Sequence, residues 1–183
     1  MKTLHLFIGV ILLLVSCKSK EIYNGQGEKY YETSDFSFKY PNDWFKIVNH
    51  LLPQEEVSVS PYNDGTSFNY FAVYKGNLDG LAFSNYMAKK KNDGLVTFGD
   101  DSNLKKINDD YFIYYIYINN PIGDNILKQK WQIHYIKRGD VVFELYFIFE
   151  NALYDKYVED MKWILTNFEF KNPHTPLLSL LKP

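Results

Sequence analysis

From Tyr111 to Phe149 the chain is a succession of apolar and aromatic runs separated only by short stretches of turn chemistry. Tyr111 to Ile118 contains no small polar or charged residue, the pattern of a central strand covered on both faces. Leu127 to Lys137 alternates, which puts Trp131, Ile133 and Tyr135 on one side. Val141 to Phe149 is again nearly continuous. Arg138-Gly139-Asp140 supplies one turn, and Asn119-Asn120-Pro121 with Gly123-Asp124-Asn125 supplies the other loop. A meander of this kind fixes a sheet as the centre of the fold.

Shorter signals precede it. Phe36, Phe38 and Tyr40 alternate with Ser37 and Lys39, and Pro41-Asn42-Asp43 turns the chain into a strand beginning at Trp44. Val57 and Val59 mark a third strand and Phe68 to Lys75 a fourth, with Asn63-Asp64-Gly65 as hairpin chemistry. Asp79 is the expected N-cap of a helix over 80–92, with Leu81, Ala82, Tyr86 and Met87 inward, Lys89 to Lys91 in the last turn and Gly94 as its stop. After the meander, Asn151 is the expected cap of a second helix. Its inner side carries Tyr154, Tyr157, Val158, Met161, Leu165 and Phe168 at three- and four-residue spacing. Pro173 and Pro176 then break the chain before a leucine-rich tail, 177–181, expected to pack back onto the domain. Strands and helices together give the α+β class.

The N-terminus carries a different message. Lys2 precedes an apolar stretch, Leu4 to Val15, which is shorter than the roughly 20 residues of a spanning helix. Leu14-Val15-Ser16-Cys17 resembles a lipobox, with a small residue beside the bond to be cut and a thiol to accept a diacylglyceryl group. Cys17 is the only cysteine, so no disulfide competes for it. Residues 1–16 are therefore expected to be a lipoprotein signal peptide. Cys17 is the expected lipidation site, carrying palmitate-type chains that hold the mature protein on a bilayer. Residues 17–33 read as the acylated cysteine and a polar tether, spanning roughly 20 Å as a flexible coil. The domain itself is expected over 34–171, with 172–183 as the tail. Lys18, where an aspartate would suggest inner-membrane retention, favours the outer membrane, facing the periplasm.

Charge and chemistry exclude more than they assign. The whole chain has 20 basic and 22 acidic residues. Loss of the leader removes one lysine, leaving a slightly acidic protein without the basic surplus of a nucleic-acid binder. The four histidines, His5, His50, His134 and His174, show no metal-ligand spacing, and His134 is expected on the polar face of its strand. Neighbouring acids (Glu55-Glu56, Asp100-Asp101, Asp109-Asp110) point apart and make poor acid–base pairs; calcium-loop and G-x-S-x-G patterns are absent. No catalytic residue, metal or cofactor is expected. Sixteen Tyr, 14 Phe and three Trp mostly suit strand and core positions, yet Tyr62, Tyr70 and Tyr74 near the first hairpin are candidates for an aromatic ligand platform.

Two segments resemble a family. Phe36-Ser37-Phe38-Lys39-Tyr40-Pro41-Asn42-Asp43-Trp44 is similar to the opening F-x-h-x-Y-P-x-x-W signature of PsbP-like domains, with Phe38 at the apolar position. Strand Val141 to Phe149, helix Ala152 to Phe168 and Glu169-Phe170 resemble the family's closing strand–helix–strand unit. The family includes a photosystem II extrinsic subunit and DcrB-type bacterial lipoproteins. The resemblance, over about residues 34–171, implies an antiparallel sheet of about six or more strands sandwiched between helices. It transfers no catalytic residue, since its members act as accessory or binding proteins.

The resulting expectation is a lipid-anchored, periplasm-facing, non-enzymatic binding or accessory protein of the bacterial envelope, with an envelope protein as partner. The alternative is a small-ligand or glycan-binding lipoprotein. An envelope hydrolase is the least supported.

Overall fold

The computed structural model describes residues 20–24, 28–47, 54–63, 68–98, 102–122, 125–171 and 174–181. The leader, Cys17, His5, His50, Asp100-Asp101 and the Asp64-Gly65 turn lie outside the described residues.

Seven strands make the main sheet. In chain order they are β4 (Phe45–Ile47), β5 (Glu55–Ser60), β6 (Tyr70–Asn77), β7 (Ser102–Asn108), β8 (Tyr111–Ile122), β9 (Asn125–Arg138) and β10 (Val141–Glu150), arranged β4-β5-β6-β10-β9-β8-β7. All its pairings are antiparallel. The meander read from the sequence is β8-β9-β10, and Gly139 takes the positive φ that the β9–β10 turn requires. β8 lies second from the edge, although both its faces are covered.

A smaller sheet has the order β1-β2-β3-β11-β12, built from β1 (Lys20–Asn24), β2 (Glu28–Glu32), β3 (Phe36–Tyr40), β11 (Glu169–Lys171) and β12 (His174–Pro176). It corrects the tether expectation. Residues 28–32 pair with β3, and Tyr31 is 1% exposed, packed on Phe38 with its hydroxyl donating to the Glu56 carbonyl at 3.1 Å. One buried aromatic per five-residue segment is enough to dock a strand whose other residues are polar, and a composition-based reading misses it.

Side-chain alternation gives the main sheet two different faces. Phe71 and Val73 of β6, with Phe143, Leu145, Phe147 and Phe149 of β10, meet the smaller sheet and α2 (Asn151–Thr166) in the larger core. Phe38 stands edge-on to Phe71 at 5.1 Å, and Phe36 edge-on to Phe143 at 6.0 Å, so the two sheets share one aromatic layer. Tyr154, Tyr157, Met161 and Ile164 are the buried side of α2, close to the expected stripe. Phe168 is buried too, but after the helix has ended at Thr166. Asn151 is the first helical residue and not a cap. The tail forms a 3₁₀ turn, Leu177–Leu181, with Leu177 buried against this core, which agrees with a packed tail.

The opposite face is covered over only part of its width. The helix α1 (Phe83–Phe98) lies over β7 and β8, burying Phe83, Tyr86 and Met87 against Phe112, Tyr114, Ile133 and Tyr135. It starts later and runs further than expected. Asp79 and Gly80 both have positive φ and make a turn, closed by the Leu81 amide donating to the Leu78 carbonyl, before the helix begins. Leu81 and Ala82 are consequently exposed. Gly94 does not stop the helix; it lets Tyr114 approach, since a Cβ there would stand 2.4 Å from the phenol oxygen. The expected loop at 119–125 is also shorter, because Asn119 to Ile122 continue the ladder with Asn125 to Lys128. The α+β class with a sheet between helices stands; the second sheet beside α2 is an addition to it.

Candidate functional site

Where α1 leaves the sheet uncovered, a groove of about 540 Å³ runs along β6, β10 and the near end of β9. Its floor follows from strand register. One row across the sheet is Tyr70–Ile148–Trp131, the next Ala72–Tyr146–Ile133, and the third Tyr74–Glu144–Tyr135. Cross-strand partners share a face, so these rows place five aromatic residues around a carboxylate. Small residues at Ala72 and Gly76 alternate with tyrosines along β6, which leaves space between the rings. A smaller recess of about 170 Å³ continues under α1 and shares Lys90, Trp131 and Tyr146 with the groove.

Glu144 organises the floor. The residue is 4% exposed and is the one charge in the run from Val141 to Phe149. Tyr86 donates to Oε1 at 2.6 Å, Tyr146 to Oε2 at 2.9 Å, and the Lys90 ammonium lies 2.8 Å from Oε1 and 3.1 Å from Oε2. A buried carboxylate is tolerable only with such a set of donors. Gly76 is fitted to this cluster: a Cβ there would lie 2.6 Å from the Tyr86 oxygen and 3.3 Å from Glu144 Oε1. At the outer end, Tyr74 donates to Glu55 at 3.0 Å and its ring meets that of Tyr146 edge-on at 4.8 Å.

The phenols are held protonated. Burial, then the neighbouring Tyr70 and Glu55, push Tyr74 well above the usual tyrosine value. Burial and then Glu144 do the same for Tyr86, and burial followed by Tyr135 and Glu144 for Tyr146. At neutral pH these groups are hydrogen-bond donors, and phenolate chemistry is closed to them.

Of the three tyrosines singled out in the sequence, Tyr70 and Tyr74 line the groove together. Tyr62 does not join them; it packs on the α2 side, edge-on to Tyr157 at 6.5 Å. Sequence reasoning missed Glu144, Lys90, Trp131 and Tyr146 as one site. The available signal was the lone acid in an apolar strand, in phase with Tyr146 two positions on. His134 is a correction. It lies in the interior, bonded to Tyr111 through Nδ1 and 2.7 Å from the Gln132 amide through Nε2, while Tyr154 donates to Gln132 at 2.9 Å. Burial lowers its pKa to about 3, so it is neutral in the fold. β9 buries this face under α2, and the four-residue polar chain makes that burial tolerable. Asp109 and Asp110 sit exposed in the β7–β8 turn, Asp109 bonded to Lys106.

Among the described residues no three metal-ligating side chains converge, and no helix is long and apolar enough to cross a membrane.

A scan against protein-family models finds no match, and a search of curated proteins finds none. Solved structures do match. The chain is similar to the solution structure of cyanobacterial PsbP from Synechocystis sp. PCC 6803, with 13% identity over 89% of this chain and 98% of that one, at a TM-score of 0.45. It is also similar to a crystal structure from Bacteroides thetaiotaomicron, with 18% identity over 74% of this chain and 44% of that one, at a TM-score of 0.41. Identities this low speak to fold alone, and with both TM-scores under 0.5 neither likeness carries an argument about what this chain binds.

Proposed function

We propose that this chain is a non-enzymatic, lipid-anchored binding protein of the bacterial envelope, and that the groove beside α1 is where it holds a small ligand. The carrying observation is the groove itself: aromatic walls and a satisfied polar floor, recessed in an otherwise close-packed sheet. Concave, aromatic-lined sites with a few fixed polar groups are the usual form of small-molecule sites. The polar groups are also pre-organised. Glu144 is locked by three partners, so a ligand would meet a surface that needs little rearrangement. This favours the small-ligand alternative over a flat docking face. The PsbP-like identity of the domain, the DcrB-type comparison, acylation at Cys17, placement on the outer membrane facing the periplasm and an envelope protein partner belong to the same proposal. They rest on the sequence motifs.

Two experiments test it. Amide and indole NMR spectra of the domain, recorded with a fragment library, should show shifts clustered at Tyr70, Gly76, Trp131 and Tyr146. Shifts confined to other surfaces would refute the site. In cells, a Cys17→Ala variant should lose acyl labelling; labelling that persists would refute the anchor.

A further inference from the structure

Resting on the groove as a ligand site, we infer that its ligand is an uncharged carbohydrate, a short neutral oligosaccharide. Charge comes first. The charged residues lining the groove are Lys75, Lys90, Asp79 and Glu144, two of each sign. Lys90 and Glu144 neutralise each other, and Lys75 is engaged by Asp35 and by Glu56, the latter at 3.3 Å. An anionic ligand would have to draw Lys90 or Lys75 away from its carboxylates, which is costly where the carboxylate is the buried Glu144, and a cationic one would find only Asp79, exposed to solvent, outside these pairs. A neutral ligand meets no such barrier.

The remaining lining is what a polyol needs. Gln54 and Asn77 each offer donor and acceptor atoms at the rim, and the protonated phenols of Tyr70 and Tyr74 add hydroxyls. Tyr70 and Trp131 stand in one register row with only Ile148 between them. Two strand spacings put their backbones about 9.5 Å apart. That leaves two half-buried aromatic residues flanking an apolar floor, room for one saturated ring with its C–H groups on the aromatics and its hydroxyls toward the rim. A purely apolar ligand would cover the side-chain amides of Gln54 and Asn77 without offering them partners.

The test is isothermal titration of the purified domain with three neutral trisaccharides (maltotriose, cellotriose and N-acetylchitotriose) and with trigalacturonate and chitosan trimer as anionic and cationic controls. At least one neutral sugar should bind with a Kd on the order of 1 mM or tighter. Trp131→Ala and Tyr70→Ala should each weaken it about tenfold or more, with the urea midpoint of each variant confirming a folded domain. Tyr62→Ala should leave the affinity unchanged. A charged trimer binding more tightly than every neutral one overturns the inference, as does silence from all three neutral sugars. Such a failure leaves the groove reading standing where the fragment-induced NMR shifts still map to Tyr70 and Trp131, and removes both where they do not.

Discussion

Gly76 and Tyr86 offer a double-mutant cycle that tests how the groove floor is held. In Gly76→Ala the new Cβ would sit 2.6 Å from the Tyr86 oxygen, well inside contact distance, and 3.6 Å from its Cζ, which is ordinary contact. The hard clash is therefore with the hydroxyl, while the 3.3 Å approach to Glu144 Oε1 asks for a shift of only a few tenths of an ångström. That oxygen must retreat from Glu144, surrendering a 2.6 Å charge-assisted bond worth about 1.5–3 kcal/mol. Alanine returns about 0.5–1 kcal/mol over glycine in a strand, since the unfolded chain has less freedom to lose. The net expectation is a destabilisation of about 1–2 kcal/mol, or a fall in Tm of roughly 2–8 °C for a domain this size. Tyr86→Phe alone should cost about 1.5–3 kcal/mol by removing the same bond. In the Tyr86→Phe background only the 3.3 Å approach to Glu144 Oε1 remains, which a small shift relieves, so Gly76→Ala should there be near neutral, within about 1 kcal/mol either way. Urea unfolding of the four proteins measures the coupling. Equal costs of Gly76→Ala in both backgrounds would refute the account of Glu144 as a cluster that Gly76 was selected to fit.

Further expectations concern the rest of the fold. Tyr31→Ala should cost about 3–5 kcal/mol, as a core aromatic does; a change under about 0.5 kcal/mol in chemical denaturation would restore 28–32 to a tether. Leu177→Ala should cost about 2–4 kcal/mol if the tail is a packed segment, and thermal melts that coincide with wild type would argue for a free one. His134 is neutral in the fold with its pKa lowered to about 3, against 6.5 for the ordinary group. The unfolded chain thus binds a proton that the folded one refuses, and this residue's share of stability is intact above about pH 6.5 and lost progressively as pH falls toward 3. A His134→Gln variant should flatten the upper part of that acid loss, and an unchanged pH profile would show that His134 is not a buried neutral group.

How legible was this in the sequence? The β8-β9-β10 meander was, because runs such as Tyr111 to Ile118 leave few alternatives, and so was the amphipathic stripe of α2. Positions decided by a single contact were not. Asp79 looks like a cap, but a following glycine made a turn cheaper than a helix start. Gly94 looks like a stop, yet it is a contact surface for Tyr114, and only the partner strand reveals that. Tyr31 sits in a polar stretch that composition assigns to a linker. The groove was half visible: Tyr70 and Tyr74 share a strand face by period alone, whereas bringing Trp131 and Tyr146 beside them depends on strand order. β6 and β10 are neighbours although more than 60 residues separate them, a non-local pairing that no periodicity encodes.

The groove as a small-ligand site can be tested most directly in living cells with a photo-crosslinking amino acid at Tyr70. The account predicts a protein-bound adduct of carbohydrate or metabolite size, lost when the same probe replaces Tyr62 on the opposite side of the sheet. Adducts of protein size alone from position 70 would contradict it, making this face a docking surface for another polypeptide.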